Sequence, residues 1–279
     1  MAQLCWIGSE ATIEQALIDL GYSKAQIKKT ILTKKQRLKL IKYGSVIQIP
    51  DSLFNRFEAN PKFDTTVKKP SILCSESSFL AVSKPSSVHS HPLHYYERDN
   101  LISFLREEEH YDFIKPFGKE SYDRGLLYRL DYETSGLIIL SRDESFLRSL
   151  RKGEKKADKK LYWAVVEGDY GEIGQLIHWL STSGKKVYED AQGREAHLSI
   201  EKASFNEEHR ISLLRVELKE GLRHQIRAQL SLVGFPIVGD TLYGAEVSPL
   251  GFGLHCFQYE IDSHTFTDES FQLLNLFNL

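Results

Sequence analysis

Cysteine is scarce in this chain: Cys5, Cys74 and Cys256 are its three in 279 residues. Spread so widely, they form neither a zinc-binding pattern nor the disulfide framework of a small secreted domain. Long apolar runs are missing as well. The longest clean one is Gly136-Leu-Ile-Ile-Leu140, far short of the about 18 residues that span a bilayer. Met1-Ala-Gln-Leu-Cys-Trp6 lacks a basic stretch followed by an apolar one, so no secretory leader is read there. No internal repeat or low-complexity segment is found. These absences lead to the expectation of a reduced, cytoplasmic protein without a membrane partner. A large net charge is also lacking. The 36 Lys and Arg stand against 38 Asp and Glu, a formal charge of −2, which on its face disfavours nucleic acid.

The average hides the distribution. From Lys24 to Lys42 there are eight basic residues and no acidic one, Lys28 and Lys29 among them. From Arg148 to Lys160 seven basic residues, including Arg151 and Lys152, face only Glu154 and Asp158. Acidic groups compensate elsewhere, as in Glu107-Glu-Glu109 and Glu207-Glu208. A single such run reads most simply as a solvated helix face. Two of them allow a near-neutral protein to present a phosphate-binding surface. The hydrophobic fraction of 41% against 27% charged residues fits a folded chain rather than a disordered one.

Residues 1–60 read as a small basic module, 61–70 as a linker and 71–279 as the main domain. Ile13, Ala16, Leu17 and Leu20 recur at helical spacing with Gly21 as a stop. A second helix starts at Ser23 with Ile27 and Ile31 on one face, and Val46, Ile47 and Ile49 suggest a short strand ending at Pro50. Asn60 to Pro70 holds two prolines, several lysines and little apolar material. Beyond Ser71, strands are expected at 79–83, 137–140, 161–166 and 211–218. Helices are expected after an N-cap at Asp99, at 146–150, and from Arg223 to Val233 with Ile226, Leu230 and Val233 buried. This is an α+β pattern: a mixed, mainly antiparallel sheet flanked by helices and loops, plus a small N-terminal α/β module.

Four segments could carry chemistry. In Leu127-Tyr-Arg-Leu-Asp-Tyr-Glu-Thr-Ser-Gly136, an extended 128–131 would point Arg129 and Asp131 to one side and Leu130 to the other. Taken alone, that pair reads as a structural ion pair. In Gly221-Leu-Arg-His-Gln-Ile-Arg227, Arg223 and Arg227 stand four apart. On a shared helix face their repulsion costs roughly 0.2–0.5 kcal/mol, so an anion should meet them. His224 and Gln225 add donors near a helix start, where anions are favoured. The alternative is a surface helix with incidental arginines. In Lys160-Leu-Tyr-Trp-Ala-Val-Val-Glu-Gly168, Tyr162 reads first as a core tyrosine with a satisfied hydroxyl. His89, His91 and His94 invite a metal reading, but their spacing fits no common zinc pattern.

Taken in order, the motifs resemble the RluA family of RNA pseudouridine synthases. They are Val82-Ser-Lys-Pro85 with His91-Pro92, Arg129-Leu-Asp131 with Thr134-Ser-Gly136, Lys160-Leu-Tyr162 with Glu167-Gly168, and Arg223-His-Gln-Ile-Arg227 with Pro236-Ile-Val-Gly-Asp240 and Leu242-Tyr-Gly244. The resemblance runs from about residue 72 to 260. Less closely, residues 9–50 resemble the alpha-L RNA-binding module. Two positions depart from the family pattern: Tyr128 replaces a histidine, and Ser86-Ser87 replace a glycine after Lys-Pro.

The resemblance implies a pseudouridine synthase fold and an isomerase that rejoins uracil to ribose through carbon 5. Asp131 would be the reacting carboxylate, Arg227 its partner cation, and Tyr162 the surface against the uracil ring. Arg129 would hold the target nucleotide out of its stack. Arg223, His224, Gln225, Lys160, Lys28, Lys29, Arg151 and Lys152 would meet RNA, ribosomal RNA favoured over transfer RNA. No cofactor and no metal is implied, and a monomer is expected. An aspartate suits the chemistry, because cleavage builds positive charge at the sugar that a carboxylate stabilises or bonds. Two other readings stand beside it. One is a non-catalytic RNA-binding or ribosome-assembly factor on the same fold. The other is a metal-dependent hydrolase built on His89, His91 and His94.

Overall fold

A computed structural model describes residues 2–6, 10–19, 22–30, 32–42, 44–49, 63–92, 98–114, 125–152, 159–171, 174–261 and 263–279. The chain divides into two compact units. One comprises Met1–Leu80, Val88–Arg129 and Ile138–Lys152, and the other Ala81–Ser87, Leu130–Leu137 and Gly153–Leu279. Among the described residues no helix is long and apolar enough to cross a membrane.

The first unit opens with β1 (Ala2–Cys5), β2 (Ala11–Thr12), α1 (Ile13–Asp19), α2 (Lys24–Lys28), α3 (Lys34–Arg37), β3 (Leu40–Ile41) and β4 (Val46–Ile49). β1 pairs antiparallel with β4, and β2 with β3. Trp6, Ile13, Ala16, Leu17, Tyr22, Ile27, Leu32, Ile41 and Ile47 form one buried cluster, so the helical spacing read in the sequence does mark an inward face. Leu20, Gly21, Ile31 and Pro50, part of that reading, lie outside the described residues. Ser23 caps α2 as expected, in a reciprocal box with Gln26. A second such box, Thr33 with Gln36, starts α3. That helix has no buried residue, so no apolar period announces it.

Further along this unit come β5 (Ser71–Ser75), the start of β6 (Phe79–Lys84), α4 (Leu101–Glu107), the end of β7 (Ser135–Ser141) and α5 (Glu144–Arg151). Phe63 is buried and meets Phe104 edge-on at 6.0 Å. The cap of α4 is Asn100, not Asp99. Asn100 Oδ1 accepts from Ser103 N–H at 2.9 Å, while the Asp99 carbonyl accepts from His89 N–H. Asp143 caps α5 by accepting from the Ser145 and Phe146 amides, and Phe79 packs edge-on against Phe146 at 5.3 Å.

The second unit is built on β8 (Lys159–Glu167), β9 (Gln175–Ser183), β10 (Lys186–Glu189), β11 (Arg194–Asn206), β12 (Ile211–Leu218), α6 (Gln225–Leu232), β13 (Leu254–Ile261) and β14 (His264–Thr267). Its strands run in the order β10-β9-β11-β12-β8-β13, with β14 beside β13. Every one of these pairings is antiparallel. The start of β7 joins β13 in parallel, with Ser135 opposite His255 and Gly136 opposite Cys256. The sheet is therefore mixed and mainly antiparallel, as expected. β9, β10, β11, β13 and β14 had no counterpart in the sequence reading, because their alternation is half polar and short of the continuous apolar runs of β8 and β12. One sheet face is covered by Ala228 of α6 and by Tyr243, packed with Leu180, Val187 and Ala196. Phe271 and Phe277 near the C-terminus cover Val165, Ile211 and Leu213.

α6 begins at Gln225, not at Arg223, because His224 takes a left-handed conformation with φ 49°. Arg223 and Arg227 therefore do not share a helix face. Val233 is half-buried and lies past the helix.

Gly136 turns the chain into β7 with φ +112°. A Cβ there would sit 2.6 Å from the Cys256 nitrogen and overlap its carbonyl oxygen. Gly136→Ala is expected to cost about 2–5 kcal/mol through strain and overlap together. Urea unfolding would read it as a lower midpoint at unchanged slope, and a loss below about 1 kcal/mol would count against this parallel register.

Candidate functional site

The site is organised by a buried arginine in the second unit. Arg227 lies in the first turn of α6, its side chain 1% exposed. Its Nε donates to Asp240 Oδ2 at 2.7 Å and one terminal nitrogen to Oδ1 at 2.8 Å. This is a two-point fork that a lysine could not reproduce. The other terminal nitrogen donates to Glu133 Oε2 at 3.0 Å and reaches Asp131 Oδ2 at 3.5 Å. The rings of Tyr243 and Phe252 flank the guanidinium at 5.3 and 5.1 Å. Burial opposes the charge, but the Asp240 bonds and the charges of Asp240, Glu133 and Asp131 outweigh it, so the guanidinium holds its proton more firmly than usual.

Asp131 sits on the loop before β7 with 26% of its side chain exposed. Its second oxygen, Oδ1, lies 3.8 Å from His224 Nε2. The loop is held on both sides of the carboxylate. Leu130 is buried, and the Tyr132 carbonyl accepts from Ser87 N–H at 2.9 Å and Lys84 Nζ at 3.3 Å. Ser87 has φ 63°, a conformation that suits glycine. The backbone there thus keeps a glycine-like shape although the residue is serine.

Lys84 is wholly buried, and its Nζ also donates to the Pro85 carbonyl at 2.9 Å. Burial pushes it down to about 7, against the pull of Asp131 and Glu133. Tyr162 points inward from β8 and is 4% exposed. Burial, with smaller contributions from Cys256, Tyr259 and Asp131, raises its phenol well above its ordinary range. Lys160 follows the strand outward, its Nζ 3.5 Å from the Glu220 carbonyl. Burial pushes its ammonium down, with Cys256 and Glu220 opposing.

The remaining expected site residues spread out. Arg223 is turned to the β9–β10 hairpin and donates to the carbonyls of Gly184 at 3.1 Å and Lys185 at 3.3 Å. Gln225 is buried and fully engaged. Its oxygen accepts from the Gly221 and Leu222 amides, and its nitrogen donates to the His197 carbonyl and Glu220. That satisfies every amide atom it has. In the first unit, Arg129 is exposed and one terminal nitrogen lies 2.8 Å from His91 Nε2. His91 Nδ1 meets the Pro92 carbonyl at 3.0 Å. Nδ1 is therefore the donor of the ring, and Nε2 accepts from the arginine. Lys28, Lys29 and Lys152 are exposed. His94, residues 153–158 and the Arg151 side chain lie outside the described residues. Among the described residues no group of three or more His, Cys, Asp or Glu could hold a metal ion.

Asp131, Tyr162, His224 and Arg227 thus come together in one unit, joined by Lys84, Glu133, Asp240 and Tyr243, to which the sequence reading gave no role. One signal did point to Asp240. An arginine on the buried side of a helix demands an internal acid, and Asp240 follows the helix in the Gly239-Asp240 turn.

Comparison with known proteins bears on the family and the fold. The profile of the RNA pseudouridylate synthase family matches residues 78–232, and the chain belongs to that family, in its RluA-type branch. It is 29% identical over 199 residues to the ribosomal large subunit pseudouridine synthase D of Borreliella burgdorferi, covering 68% of this chain and 60% of that one. It is 32% identical over 187 residues to an uncharacterized RNA pseudouridine synthase of Helicobacter pylori, covering 65% of this chain and 66% of the other. The chain thus spans less than two thirds of the length of these curated relatives. In fold it is similar to human RNA pseudouridylate synthase domain containing 4, at TM-score 0.56 and 16% identity over 74% of this chain and 90% of that one. It is likewise similar to domain containing 1, at TM-score 0.53 and 21% identity over 72% of this chain and 82% of that one.

Two measurements test the site. Asp240→Asn keeps the shape but removes a buried charge from Arg227, and is expected to cost about 3 kcal/mol. Glu133→Gln, on a side chain 41% exposed, should cost less than about 1 kcal/mol in the same urea series. For Lys84 the native chain releases the proton near 7 and the unfolded chain near 10.5. Between those values the unfolded state binds the extra proton, so stability rises with pH by up to about 1.4 kcal/mol per pH unit. Lys84→Met should lose that rise between pH 7 and 9.5. Equal slopes in both proteins would mean that the lysine titrates at its ordinary value.

Proposed function

We propose that this chain isomerises uridine to pseudouridine in structured RNA, with Asp131 as the reacting carboxylate. The carrying observation is Asp131 itself: an aspartate on a braced loop, partly open to solvent, with a buried arginine behind it. Family membership supports the reaction class. The bond between uracil N1 and ribose C1′ breaks, the base turns, and C5 bonds to C1′. N1 gains a proton and C5 loses one, so atoms balance without a redox partner. An ionised carboxylate at the sugar stabilises the charge that cleavage develops there. Arg227, held in place by Asp240, keeps a fixed positive charge behind Asp131. Tyr162 offers the uracil ring a flat surface. Arg129, with His91 beside it, would fill the space that the extruded base leaves.

The substrate is ribosomal RNA in preference to transfer RNA. A relative named for the large ribosomal subunit supports that choice, as does the basic segment 24–42. Its exposed lysines, Lys28 and Lys29 among them, would hold phosphates, as an alpha-L-type module would, in residues 1–60 ahead of a catalytic domain at 71–279. Contacts of this kind read little sequence and weaken with salt.

The test is tritium release from RNA labelled at uracil C5, with ribosomal and transfer RNA assayed separately. Release is expected from ribosomal RNA and should fall to below about one-thousandth in Asp131→Asn. Absence of release from both, with salt-dependent binding intact, would favour a non-catalytic RNA-binding factor. Lys28→Ala with Lys29→Ala should flatten the log–log salt dependence of binding by about 2. An unchanged slope would remove those lysines from the RNA surface.

A further inference from the structure

His224 stands at the N-cap of α6, where Ser, Thr, Asp or Asn usually supplies a capping oxygen. It makes no capping bond and holds a left-handed backbone, φ 49° and ψ 23°. A residue with a Cβ rarely adopts that shape without a reason in its surroundings. Here the ring has a polar neighbour on each side. Its Nδ1 lies 3.0 Å from the Tyr243 hydroxyl, and its Nε2 lies 3.8 Å from Asp131 Oδ1. The Tyr243 hydroxyl in turn receives the Val187 backbone N–H at 2.8 Å. Val187 belongs to β10, which ends the strand order of this unit.

One placement of the protons uses every group in this chain of bonds. A backbone N–H can only donate, so the Tyr243 oxygen accepts from Val187. The phenolic hydrogen then has one acceptor among the described residues, His224 Nδ1. A ring nitrogen that accepts carries no hydrogen, so the hydrogen of the neutral imidazole is on Nε2, the nitrogen facing Asp131. Burial favours that neutral ring. The charges facing it are Asp131, which opposes this, Arg227 and Arg223, which assist it, and Glu133, which again opposes.

We propose that His224 is a positioning residue for Asp131: its Nε2–H tautomer, set by Val187 through Tyr243, holds the Oδ1 oxygen while Arg227 holds Oδ2. Once the His224 contact closes, a partner on each oxygen fixes the plane of the carboxylate, which is the preorganisation a reacting carboxylate needs. The 3.8 Å separation closes by a small rotation of the ring or through one water. This role rests on the reading of Asp131 as the reacting group. The relay from Val187 to His224 does not.

Two experiments separate these parts. Long-range proton–nitrogen NMR of the full chain labelled in histidine reads the tautomer directly. Nitrogen Nε2 of His224 should carry the hydrogen and Nδ1 should not, and Tyr243→Phe should mix the two forms. A hydrogen on Nδ1 in the unmodified protein would overturn the relay. Single-turnover isomerisation then tests positioning. His224→Asn, chosen because asparagine tolerates the left-handed backbone, should slow the step at saturating RNA by about 10–100-fold. Tyr243→Phe should slow it less and move the acid limb of the pH profile upward, because the neutral ring loses its donor. Combined with His224→Asn it should add nothing. An unchanged rate in His224→Asn would overturn the positioning role. Failure of the unmodified protein to isomerise any RNA would overturn the reading of Asp131, and with it the positioning role, while the tautomer measurement still decides the relay.

Discussion

A single cation, Arg227, is buried among three carboxylates. A guanidinium taken out of water is tolerable only if its donors are matched by acceptors in the right plane. Asp240 supplies two of these at 2.7 and 2.8 Å, and Glu133 and Asp131 share the remaining terminal nitrogen. The demand propagates outward. Asp240 must arrive on the turn after α6, and the loop carrying Asp131 and Glu133 must stay close to that helix. Lys84, Ser87 and buried Leu130 are what keep the loop there. Removing the arginine's matched partner would therefore disturb both stability and the placement of Asp131.

The surroundings of Asp131 divide the work by burial. Charge that is needed for structure is deep: Arg227 and Asp240 are each about 1% exposed. Charge that is free to meet a ligand is shallower, as with Asp131 at 26% and Glu133 at 41%. Lys84 and Tyr162 show the other use of burial, since each is pushed toward its neutral form. Burial thus weakens the positive charge of the amine and suppresses ionisation of the phenol beside the two shallower carboxylates, Asp131 and Glu133.

Much of this was legible along the chain. The continuous apolar stretches of β8 and β12, the Ser23 cap and the inward face of α1 follow from periodicity and capping chemistry alone, since both are local. The pairing of Asp131 with Arg227 entered through the family resemblance, and no spacing rule links residues 96 positions apart. The reading of Arg223 with Arg227 as one helix face failed because it assumed a helical φ at His224. Asn100 displaced Asp99 as a cap because the Asp99 carbonyl was already committed to His89.

By itself, the sequence determined a chain without a disulfide framework or a long apolar span, with an α+β pattern, concentrated basic segments and the order of motifs that carry the family resemblance. Each of those depends on composition or on residues a few places apart. Only the tertiary structure decided which acids Arg227 would meet, that Gln225 would spend its whole amide on the loop and strand beside it, and that Tyr243 would stand between Val187 and His224. Those choices are made by pairings distant in sequence, where a buried donor takes the acceptor that the completed fold leaves within reach.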